Sequence, residues 1–293
     1  MSDTRGSGSA RADEASVSRP GGSRDTRFFG QPWELAHIFG VEMWERFSFY
    51  GMQGILLIYL YYSVAEGGLA IPKPIAAGIV GAYGGAVYLS TILGAWIADR
   101  LFGSERVLFA SAIVIMAGHI ALALLPGVTG VAVGLVLVAV GSGGLKANAT
   151  SVVGTLYTAD DPRRDSGFSL FYLGINLGAF LGPLLTGLLQ STLGFHWGFG
   201  LAAVGMAFGL IQYSFGRRHL PDEARRVPNP LPRSRRPLVA GIAVAGLRAV
   251  SAGGAFWRLL GEHLSLLLFI SLLLAPLTVF VGHLSSQVFP EAE

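Results

Sequence analysis

Three charges, Glu42, Glu45 and Arg46, fall within five residues of a run from Trp33 to Tyr62 that is otherwise almost wholly apolar. A run of this length can cross a bilayer as a helix, and each charge inside a span costs about 2.5–3.5 kcal/mol on insertion scales. The chain must therefore have a use for these charges, or supply them with partners. Helical spacing puts Glu42, Glu45 and Arg46 on one face. Phe49 and Gln53 continue that face and Tyr50 lies beside it, in a stripe about 16 Å long.

The rest of the composition points the same way. Of 293 residues, 52% are hydrophobic and 13% charged, against about 25% charged in soluble domains. This is the signature of an all-α, polytopic membrane protein, and the 41 glycines suit helices that approach closely. The absence of Cys excludes disulfides, thiolate metal sites and cysteine nucleophiles. The six His show no ligand spacing, and no nucleophile elbow or phosphate loop is present. An enzyme is the least supported reading, and neither a metal nor a cofactor is expected. The net charge of +3 is explained by loops rather than by a nucleic-acid partner.

Six strong spans are expected near Glu34–Tyr62, Ile75–Ala98, Val107–Leu125, Val131–Val153, Phe168–Leu189 and Trp197–Phe215. With the N-terminus inside, the inner loops hold Arg100, Arg106, Arg163, Arg164 and the seven arginines of 217–237, while the outer loops hold Lys73 alone. That asymmetry places the N-terminus in the cytoplasm. The chain then divides into a disordered cytoplasmic tail (1–27), a six-helix bundle (28–216), a basic cytoplasmic linker (217–237), a transmembrane hairpin (238–286) and a tail (287–293). The linker could also attract anionic lipid headgroups. Gly174, Gly178 and Gly182 in span five, and Gly81 and Gly85 in span two, read as stripes of close helix contact. Pro183 is expected to kink span five.

Few other polar groups lie deep: Tyr88, His119, Lys146, Asn148 and Asn176. Lys146 follows a Gly-rich turn, Gly141–Leu145. If it faces the stripe, Glu42 and Glu45 are balanced by Arg46 and Lys146, and pairing is the expected arrangement for buried charges. Two readings remain open at this point, a network that only fixes helix packing and a transport or proton-relay site. In the second, a ligand carboxylate between Arg46 and Lys146 competes with the glutamates, and a displaced glutamate takes up a proton. Asn176 can donate to or accept from a peptide amide, or simply bond a neighbouring helix. His119 reads as a packed, neutral histidine.

Four stretches carry a resemblance. Glu42–Gly51 resembles the E-x-x-E-R-F-x-x-Y-G signature of the proton-dependent oligopeptide transporters, in the major facilitator superfamily. Gly94–Gly103 resembles that family's loop signature after span two. Gly144-Leu145-Lys146-Ala147-Asn148 resembles its span-four element, and Phe168–Phe180 its span-five signature. The resemblance implies symport of di- or tripeptides with protons across the cytoplasmic membrane. Glu42, Glu45, Arg46 and Lys146 would then couple protons, and Lys146 would pair with the first-span motif. Arg46, Tyr50, Gln53, Tyr88, Lys146 and Asn176 would bind substrate, and Asp99 and Arg100 would gate.

This sequence also departs from the pattern. Phe49 stands where the family often has a second Tyr, Gln53 replaces an Arg, and Ala147 replaces a Pro. A major facilitator has two six-helix bundles. The expected fold here is the N-terminal bundle plus one or two extra hydrophobic helices, without the second bundle. A separately encoded half or a homodimer would supply the other wall. The alternatives are a non-transporting membrane remnant or assembly partner, and a related carrier of nitrate or another small anion.

Overall fold

The computed structural model describes residues 25–235 and scattered positions from 237 to 248. Six long helices account for most of it: α1 (Trp33–Tyr61), α2 (Lys73–Ile97), α3 (Ser104–Leu124), α4 (Gly127–Gly154), α5 (Arg164–Leu193) and α6 (Phe195–Gly216). The last five are long and apolar enough to cross a membrane. The first is 29 residues long, about 44 Å, and carries the charged stripe. The expected hairpin at 238–286 lies outside the described residues.

The helices start earlier than hydropathy suggests, because polar and glycyl residues at their ends stay helical. Thus α4 begins at Gly127 and α5 at Arg164. The expected Gly141–Leu145 turn is instead continuous helix within α4. Those glycines are where α4 meets its neighbours: a Cβ at Gly141 would press on Ile115 of α3, and one at Gly143 on Ser90 of α2. Likewise α5 runs through Pro183 without interruption.

The packing has a two-fold pattern. Helix α1 packs on α5 and α6 as α4 packs on α2 and α3, and α3 meets α6. This is the relation expected of an inverted three-helix repeat. Along α1 and α5 the contact is a ridge in steps of four: Gly174 meets Phe39, Gly178 meets Met43, and Gly182 meets Phe47. A Cβ at Gly178 or Gly182 would overlap a main-chain carbonyl oxygen of α1. Thr186 continues the ridge and donates to Gly51 O at 2.9 Å. The companion stripe of α2 does not behave alike, since Gly81 is exposed and Gly85 half-buried. Helices α2 and α5 are the least buried of the five apolar spans, at 17% and 22%.

Two apolar clusters fill the bundle. One, with Leu35, Val41, Leu108, Leu145, Tyr213 and Leu220, lies toward the end bearing the residue 217–235 segment. The other gathers Phe49, Met52, Leu122, Val138 and Phe199 toward the opposite end. The residues of α1 and α4 that fall between them are Glu42–Ser48 and, on α4, Gly141–Gly144, so the charged stripe is bracketed by apolar packing.

Candidate coupling and binding site

Glu42, Glu45 and Arg46 are all buried, at 1%, 0% and 7% exposure. Arg46 serves both acids. Its Nε donates to Glu42 Oε1 at 2.8 Å, its Nη2 donates to the same oxygen, and Nε stands 3.3 Å from Glu45 Oε2. The other oxygen of Glu45, Oε1, accepts from Ser142 Oγ on α4 at 3.1 Å. Ser142 is itself fully buried. It lies one helical turn before Lys146, on the same face of α4. That spacing is the signal in the sequence that could have found it.

Lys146 does not do what charge balance alone suggests. It is half-buried and lies within electrostatic range of Arg46, Glu45 and Glu42. Among the described residues, however, it makes no ion pair. Its ammonium instead sits 4.3 Å from the ring centroid of Phe49. The expected pairing of Lys146 with the first-span acids is therefore replaced by a cation–π contact. Arg46 already spans both carboxylates, and its like charge opposes a second cation between them. Phe49 is buried and is flanked by Tyr50, edge-on at 5.2 Å, and Tyr83 at 6.0 Å. Tyr83 went unread in the sequence; its hydroxyl is buried and, among the described residues, has no hydrogen-bond partner.

The remaining expected ligands are more exposed than the ion cluster. Tyr50 is 38% exposed and Tyr88 76%. Gln53 is half-buried and Asn176 exposed. Asn176 Nδ2 donates to Tyr172 O at 2.8 Å, within α5. His119 is fully buried and, among the described residues, neither ring nitrogen has a hydrogen-bond partner, as a packed histidine would be. Asn148 Nδ2 donates to Gly144 O at 2.8 Å and to Gly94 O at 3.4 Å, tying α4 to α2.

Asp99 and Arg100 lie in a π-helical turn, Ala98–Phe102, at the end of α2. The 217–235 segment grips that turn. Asn229 N donates to Asp99 O at 3.0 Å, and Leu231 N to Arg100 O at 2.9 Å. Gly103 follows at φ +84°, and a Cβ there would strike the Arg225 carbonyl. Beneath it, Glu105 accepts hydrogen bonds from Arg217 and is ion-paired with Arg225, a clasp that sequence reasoning did not anticipate. A second clasp holds the α4–α5 connection: Tyr157 donates to Gln31 Oε1, and Gln31 Nε2 to Ser166 Oγ, both at 2.9 Å. Asp25 lies in the same clasp. A hydrogen bond from the Arg27 side chain holds its carboxyl below the usual range, and its Oδ2 accepts the Trp33 amide at the start of α1. No group of three or more His, Cys, Asp or Glu able to hold a metal occurs among the described residues.

The POT family model matches residues 105–257. The chain is 52% identical over 205 residues to the uncharacterized transporter YclF of Bacillus subtilis, covering 70% of this chain and 42% of that protein. It is 48% identical over 207 residues to the di-/tripeptide transporter of Lactococcus lactis, with the same two shares. A crystal structure of a peptide transporter POT in complex with sulfate superposes with a TM-score of 0.78 at 44% identity, covering 87% of this chain and 53% of that one. A POT family transporter in complex with 5-aminolevulinic acid gives 0.73 at 39% identity, over 79% and 48%. The chain spans about half the length of the proteins it matches.

Proposed function

The chain belongs to the POT family, and on that premise we propose that it forms one wall of a proton-coupled symporter of di- and tripeptides. The carrying observation is the buried Glu42–Arg46–Glu45 cluster with the Lys146 ammonium beside it and, among the described residues, in no ion pair. A peptide carboxylate entering between Arg46 and Lys146 draws Arg46 off the glutamates. A glutamate left in an apolar surround without its cation favours the neutral form, so substrate and proton uptake are linked. Tyr50, Tyr88, Gln53 and Asn176 face the peptide backbone and amino end from the exposed side. Asp99 and Arg100 belong to a gate at the cytoplasmic end, a side supported by the excess of arginine in the loops at that end. The opposite wall comes from a second six-helix unit or a second copy, because rocking access needs two.

The test is uptake of a labelled dipeptide by the purified chain in liposomes under an inward proton gradient. Gradient-driven uptake that is lost in Glu45→Gln, with dipeptide exchange retained, supports the coupling role. Loss of neither process, or equal loss of both, counts against it. No uptake under any gradient sinks transport by this chain without a second wall. Uptake of nitrate in place of dipeptide favours the anion carrier.

A further inference from the structure

The contact between Lys146 and Phe49 has a geometry that the charges alone do not explain. Among the described residues Glu42 Oε2 and Glu45 Oε2 are buried without a hydrogen-bond partner, although Glu45 Oε2 is ion-paired with Arg46, yet the nearby ammonium rests on an aromatic face. The two side chains converge for a structural reason. Three short connections separate α1 from α4, so the two helices run antiparallel, and side chains lean toward the N-terminus of their own helix. Phe49 therefore leans back toward Glu45, and Lys146 back toward Ser142, which meet at 3.1 Å. The ring is held in place by Tyr50 and Tyr83.

We propose that Phe49 is a positioning residue, whose ring face seats the Lys146 ammonium apart from the buried carboxylates and leaves it free to pass to an anionic group arriving from the open side. A cation–π contact suits this task, being weaker than a charge-assisted hydrogen bond to a carboxylate. Were Lys146 to fall onto Glu42 or Glu45, an incoming anion would first have to break that ion pair. The identity of the arriving group as a peptide carboxylate rests on the function proposed above. The seat itself does not.

The chain has only two lysines, Lys73 and Lys146, which makes the test direct. Reductive dimethylation with a carbon-13 label keeps the positive charge and gives one NMR signal per lysine besides the N-terminal amine, and Lys146→Arg assigns the signal of Lys146. In the peptide-free protein that signal is expected upfield of exposed dimethyl-lysine, shifted by the ring current of Phe49. Phe49→Leu removes the shift and Phe49→Tyr keeps it. Lys73, 5.0 Å from the Tyr61 ring, reports folding in the same spectrum, and Phe49→Met replaces Phe49→Leu should the Lys73 signal move as well. An unshifted Lys146 signal in the wild type, or one indifferent to loss of the ring, overturns the seat. Addition of dialanine then moves the Lys146 signal, with apparent affinity about tenfold weaker in Phe49→Leu. A ring-shifted signal that ignores dialanine upholds the seat and sinks the peptide reading instead.

Discussion

Arg217 Nε stands 2.6 Å from Glu105 Oε1, and none of the Glu105 side chain is exposed. The pair joins the exit of α6 to the first turn of α3, and Arg225 adds a second cation at 3.7 Å. Glu105 also lies where a negative charge complements the α3 dipole. Leu220, Ala224 and Leu231 are buried beside this clasp, so the basic segment is laid across the α2–α3 turn.

Removing the acid leaves two partly buried arginines without it, so Glu105→Ala is expected to cost about 2–4 kcal/mol. Unfolding in detergent micelles measures the loss. Limited trypsin digestion reads the same event locally, as faster cutting at Arg217–Arg226. Unchanged cutting would mean that the segment is held by its apolar residues alone.

The glycine ridge separates packing from helix propensity. Gly182→Ala puts a methyl group into the Phe47 carbonyl, and overpacking of this kind costs about 1–3 kcal/mol. Gly187, five residues on in α5, has open space at its Cβ position. Gly187→Ala is expected to be neutral, or to stabilise by up to about 1 kcal/mol. Equal effects of the two changes would refute close α1–α5 contact.

Ser142→Ala removes the donor that Glu45 Oε1 has among the described residues. A buried acceptor left unsatisfied costs about 1–3 kcal/mol, and Ser142→Thr, which keeps the hydroxyl, should cost less. Thermal unfolding of the two variants provides the comparison.

The Tyr157 clasp yields a pH dependence. Burial pushes the Tyr157 phenol up to about 12, against about 10 for an unperturbed Tyr. Folding thus favours the protonated form. The contribution is complete below about pH 10 and is lost as pH rises toward about 12. Wild-type stability should fall faster than that of Tyr157→Phe across this window, alongside a late tyrosinate absorbance step that the variant lacks. Parallel curves would contradict the assignment.

Much of the bundle was legible in the sequence. Glu42, Glu45 and Arg46 stand out because charges in a long apolar run are costly, and the Gly174–Gly178–Gly182 spacing announced a close helix contact along α5, though not that α1 would make it. Gly81 and Gly85 carry the same spacing on a more exposed face, since spacing shows a smooth face and not what covers it. Gly141–Leu145 looked like a turn because glycine is a poor helix former, yet packing between α2 and α3 holds it helical.

The chain by itself determined six helices, their order and the charged stripe, because apolar length and the 3.6-residue period are local properties set by the solvent around each segment. Tertiary structure alone decided the partners. Ser142 meets Glu45 from 97 residues away, Glu105 finds Arg217 across 112, and Lys146 goes to Phe49 of another helix. Such pairings depend on how far each helix is rotated and slid against its neighbours. Those settings come from side-chain packing across the whole bundle, and no single segment encodes them.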